Sequence, residues 1–166
     1  MKLRTFLPRL ALVVGFLAAV TLTCAIDYAN LATQYLAKLE HGIASAKEHP
    51  DAPQWWGQCE IDFKGLEENT AQLPPEQRPP FLAKIQLYRP QVEAGVRFYH
   101  ASIVARHIRD ALDSAEEDLK TGPVADRTLE ALARFFADKD LQGLPTEDLK
   151  KLRTQYEDVK KRSGAK

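Results

Sequence analysis

The sequence predicts an all-α domain, a compact bundle of about five helices with one long central helix, following a cleaved signal peptide. Three observations lead there. Apolar residues after residue 26 recur at a period near 3.6, Gly and Pro fall mostly between the periodic stretches, and no internal repeat, low-complexity tract or 20-residue apolar span follows residue 25. About 141 residues remain beyond residue 25, enough for one core without a metal or a disulfide framework.

Residues 1–25 read as the signal. Lys2, Arg4 and Arg9 precede the uncharged run from Leu10 to Leu22. Basic then apolar is the layout of an export signal, and the run is shorter than the roughly 20 residues a permanent span needs. Thr23 and Ala25 supply small residues for a cut after Ala25. The mature domain, 26–166, is then expected outside the cytoplasm, periplasmic or secreted. Cys24 offers a second route, a lipid-anchored start. Membrane contact is expected only with that lipid or with an uncleaved signal.

Cleavage removes three cations and no acid, so the net charge falls from zero to about −3. A mildly acidic domain has no long-range attraction for nucleic acid, which is therefore not an expected partner. Cys59 is left as the lone thiol, expected to be a small buried apolar residue.

The first mature helix is expected over 27–47. Asp27 can cap it, Tyr28, Leu31, Ala32, Tyr35, Leu36, Leu39 and Ile43 share a side, and His41 faces away. His49-Pro50 ends it. The second helix is expected over 53–70, with Trp55, Trp56, Cys59, Phe63 and Leu66 forming the core arc and Glu60, Asp62, Glu67 and Glu68 outside it. The Trp pair is bulk for a small core or, alternatively, a ligand platform. The proline-rich segment 73–80 is a stiff connector.

Residues 81–88 suggest a short helix, after which Pro90 either kinks it or opens the next one. The long helix then runs to about residue 120, where Gly122-Pro123 stops it. Val92, Val96, Tyr99 and Ile103 lie within about 40° of one another, whereas Val104, Ile108, Leu112, Ala115 and Leu119 lie roughly 150° away. That switch implies a different neighbour at each end of the helix, or an irregularity near Ala105. A helix over 125–138 carries Leu129, Leu132 and Phe136. A last one, opened by Pro145-Thr146 with Thr146 as cap, carries Leu149, Leu152, Tyr156 and Val159, and its basic end suits the helix dipole.

No phosphate-binding glycine loop, nucleophile elbow or metal-ligand spacing occurs. His100 and His107 lie on one side of the long helix but about 10.5 Å apart in rise, too far to share one ion. No metal and no cofactor is expected. The candidate ligand- or partner-binding residues are Trp55, Trp56, Tyr99, His100 and His107; Arg106 points away from His100. The leading expectation is a non-enzymatic protein-binding domain of the bacterial cell envelope, of inhibitor, immunity or assembly-factor type. The alternatives are a small-ligand carrier or sensor with its pocket between the second and the long helix, and a hydrolase using a carboxylate or a histidine.

Overall fold

The computed structural model describes residues 26–164; the expected signal peptide and Cys24 lie outside the described residues. Five α-helices and two short 3-10 turns account for the elements, with no strand among the described residues. The helices are α1 (Tyr28–Glu48), α2 (Gln54–Gln72), α3 (Pro79–Thr121), α4 (Asp126–Phe136) and α5 (Thr146–Arg162). The turns are Pro75–Gln77 and Lys139–Gly143. None of these helices is long and apolar enough to cross a membrane.

Local chemistry explains the boundaries. Asp27 Oδ1 accepts the Asn30 N–H at 3.0 Å and so occupies one of the free donors at the start of α1. Pro79 and Pro80 fall in the first turn of α3, where a missing N–H costs nothing. The expected short helix over 81–88 is therefore the first part of α3, and the 43-residue helix passes through Pro90 without a break. At α5 the cap position belongs to Pro145 and no side chain bonds there, so Thr146 is the first helical residue and not the cap. Arg162 closes α5 by bonding Asp158 and, across the helix pair, Glu116.

Helices α1 and α2 form an antiparallel hairpin. Gly42 faces the Cys59 thiol and Gly65 lies beneath the Tyr35 ring, so sequence positions run oppositely along the pair. The hairpin rests on the first half of α3 around Leu39, Ile43, Phe63, Leu66, Ile85 and Val92. The Lys84 ammonium and the Tyr88 hydroxyl both donate to Glu40 Oε1, at 2.9 and 2.7 Å, and tie α1 to α3 at the edge. Asp62, expected outside the apolar arc, is in fact buried, with Gln58 Nε2 donating to its Oδ2 at 3.1 Å. The packed arc of α2 also takes in Gly65, and Asp62 lies within that widened arc.

A second core occupies the other half of α3. Ile108, Leu112 and Ala115 meet Leu132 of α4, Leu141 of the second turn, and Leu152 and Val159 of α5. The switch of buried face along the long helix thus follows from two sets of neighbours on different sides, with helical backbone continuous through Ala105.

Candidate functional site at the waist of the long helix

Where a helix changes its buried face, neither set of neighbours fully covers it, and recesses are left on its flanks. In α3 that waist coincides with a charge pattern. From Ala94 to Arg109 the helix carries no acid, but it carries Arg97, His100, Arg106, His107 and Arg109.

Three of the five predicted residues come together at the α2–α3 crossing. The Trp56 indole rests on Gly95 of α3, where an added Cβ would stand 2.0 Å from the ring. Tyr99 of α3 reciprocates on Gly57 of α2, at 2.7 Å by the same measure. These two contacts fill the space between the helices with rings. His100 follows, its ring 5.4 Å from that of Tyr99 and its Nε2 3.6 Å from Glu60 Oε2. That separation exceeds the roughly 3.2 Å of a proton-transfer contact.

The other two lie elsewhere. Trp55 meets His41 of α1 edge to face, centroids 6.1 Å apart. His107 belongs to the second half of the molecule, with its ring 5.7 Å from Phe135 of α4. Among the described residues, no group of three or more His, Cys, Asp or Glu could hold a metal ion. Cys59 is fully buried, and burial first, then the neighbouring Asp62 charge, pushes its thiol up to about 11, so it is neither accessible nor ionised near neutrality.

Two half-open clefts flank the waist. One, about 280 Å³, is lined by Val96, Arg97, His100, Lys139, Asp140 and Gln142. Its wall is set by the second 3-10 turn, where Gly143 is pressed against the Arg97 carbonyl. The other, about 210 Å³, lies between the α1–α2 loop and the start of α5, with Phe98, Ser102, Arg106 and Arg109 contributed by α3. His100 and Arg106 therefore line different clefts, as their angular separation implies. A broader recess of about 560 Å³ runs beside Leu149, Arg153 and Glu157, but its described lining comes from α5 alone and gathers no polar groups from a second element.

One feature of α3 is absent from the predicted site. Residues Pro80, Ala83, Leu87, Pro90 and Ala94 follow the three-four spacing of a helical seam, and all are exposed. Beyond Arg97 the same spacing continues as Ala101, Val104, Ile108, Ala111 and Ala115, which the chain's own C-terminal elements cover in whole or part. The seam is readable from spacing alone; that half of it stays bare is not.

No family model, no curated protein and no solved structure matches this chain.

Proposed function

We propose that the mature chain works in the bacterial cell envelope or exterior as a non-enzymatic protein-binding domain, and that it receives an amphipathic helix of its partner on the first half of α3. The observation that carries this reading is the bare half of the seam, where Leu87 is 57% exposed. The occupant is a helix because the covered half of the same seam is already occupied by helical elements, and the bare half, on the other side of Arg97, keeps the same three-four spacing that fits a helical neighbour. Ala83 and Ala94, on either side of Leu87, are small enough for a partner's side chains to interdigitate. Pro90 has no N–H, so the Gln86 carbonyl lacks its helical donor and offers an acceptor beside the seam. Trp55 and His100, both half-buried, stand at the margins of the hairpin.

The reading is tested by placing a photo-crosslinking amino acid at Leu87, and separately at Arg153 on the exposed face of α5, and irradiating cells that export the chain. A discrete adduct from position 87, absent from position 153 and lost when Ala83 and Ala94 are both changed to Glu, is expected. Identical adducts from both positions, or none from 87 in folded exported protein, would overturn it.

A further inference from the structure

We propose that the cleft holding Arg106 and Arg109 is a second recognition site, a groove for an extended acidic peptide segment with an apolar side chain beside its carboxylate. The inference rests on the partner-binding reading but concerns a different surface. The seam is apolar, whereas this groove is charged, with Arg106, Arg109 and Lys151 set against Asp51 and Asp148.

Four observations support it. The 210 Å³ cleft adjoins another of about 220 Å³, and the two share Arg109, Leu144 and Asp148, so the recess continues from the α1–α2 loop to α5. Elongation along several elements suits a strand of peptide better than a compact ligand. Among the described residues, neither Arg106 nor Arg109 has an ion-pair or hydrogen-bond partner, and both are exposed. A guanidinium left free in a recess is a preformed fork for a carboxylate.

Apolar surface lies beside these cations: Phe98, Pro50 and Pro53 line the first cleft, and Leu152 with Leu144 the second. That pairing asks for a side chain of each kind on adjacent positions of the ligand. The acids of the lining argue for a peptide over a bare anion. Asp148 is engaged by Lys151 at 3.9 Å, but Asp51 has no partner among the described residues. A peptide backbone brings N–H donors that the Asp51 carboxylate accepts, which a free phosphate ion does not offer.

The cleft on the opposite flank provides the control. It also holds cations without partners among the described residues, Arg97 and Lys139, but its walls include one large apolar side chain, Val96, where the first cleft has Phe98, Pro50, Pro53 and Leu144.

The test pans a random heptapeptide phage library on the chain isolated after export, then measures the enriched peptide by fluorescence anisotropy. Enriched peptides are expected to carry Asp or Glu next to Leu, Ile, Phe or Met. The Arg106→Glu/Arg109→Glu variant, checked for unchanged helicity, should weaken them at least about tenfold, and Arg97→Glu/Lys139→Glu should leave them within about twofold. Raising salt from low to physiological strength should weaken binding, since these charges are exposed. Failure to enrich any peptide, enrichment of peptides without acids, or equal loss in both variants would overturn the groove. Crosslinking from Leu87 would be untouched by that failure, so the two readings fail separately.

Discussion

Trp56 and Tyr99 hold α2 against α3 because each has a glycine under its ring, and that dependence is testable one atom at a time. A methyl group at Gly95 would stand 2.0 Å from the indole, which is too bulky to move aside within a packed helix pair. Ala is the better helix former by about 1 kcal/mol, but overpacking a core contact costs about 1–3 kcal/mol and so close an approach belongs at the upper end, so Gly95→Ala should lower stability by a net of about 1–2 kcal/mol in chemical denaturation. An unchanged or raised midpoint would show that the ring is free to yield. Cys59 makes a second residue-scale case. With its thiol fully buried and pushed up to about 11, it should not react with Ellman's reagent at neutral pH until denaturant is added. Fast reaction in the folded protein would mean that the α1–α2 contact opens readily. Glu40 is held below the ordinary carboxylate value of 4.5, chiefly by the Lys84 hydrogen bond and then by that of Tyr88. A lowered folded value means that its contribution is present above 4.5 and is lost as pH falls through the folded value. Lys84 is raised above 10.5 by the same contact, so its contribution is present below 10.5 and lost as pH rises through its folded value. Both groups are more than two-fifths exposed, and solvent keeps the effect small. An NMR titration of the Glu40 carboxyl carbon with a midpoint at or above 4.5 would contradict this contact.

At the level of elements, α3 tolerates Pro90 in its interior at the cost of one backbone hydrogen bond, a substitution that typically disfavours a helix by about 3 kcal/mol. Pro90→Ala restores the donor to the Gln86 carbonyl and should stabilise the chain by about 1–3 kcal/mol, read as a higher thermal midpoint. It should also weaken crosslinking from Leu87 if that carbonyl serves the partner. A lower midpoint would show instead that the helix has relaxed around the proline and depends on it. The same residue marks where the sequence was hard to read. Local periodicity located the helices, their order and the switch of face along α3, because those follow from side-chain spacing in one segment. It leaves open whether Pro90 kinks one helix or opens the next, since a proline's local preference does not register the packing of Ile85 and Val92 on both sides of it into one core. Asp62 was misplaced for a related reason. Burial of its carboxylate depends on how wide an arc of α2 is covered, and that is set by neighbours distant in sequence. The candidate residues were partly legible as well. Trp56, Tyr99 and His100 do gather at one crossing, but the glycines beneath the rings and the clefts on the flanks need two helices to define them.

For the whole molecule, the consequence of a long helix with two faces is two cores that share it but share no buried side chain. Between them run the helix itself, the second 3-10 turn seated on Arg97 and Ala101, and the cleft where the α1–α2 loop approaches the start of α5. A clefted, charged waist transmits less packing energy than a continuous apolar core would, so damage on one side should be felt mainly there. Leu132→Ala removes a side chain with no exposed surface from the second core, and such truncations cost about 2–5 kcal/mol. Hydrogen exchange should then accelerate in α4, α5 and the part of α3 beyond Ala105, while amides in α1 and α2 keep their original rates. Uniform acceleration through both halves would mean that α3 couples the cores into one cooperative unit, and the waist would then be a rigid junction. If the halves respond separately, a partner bound on the first half of α3 and a peptide held beside Arg106 and Arg109 can each be engaged without remodelling the other, because the element that joins the two surfaces carries little coupling energy across its middle.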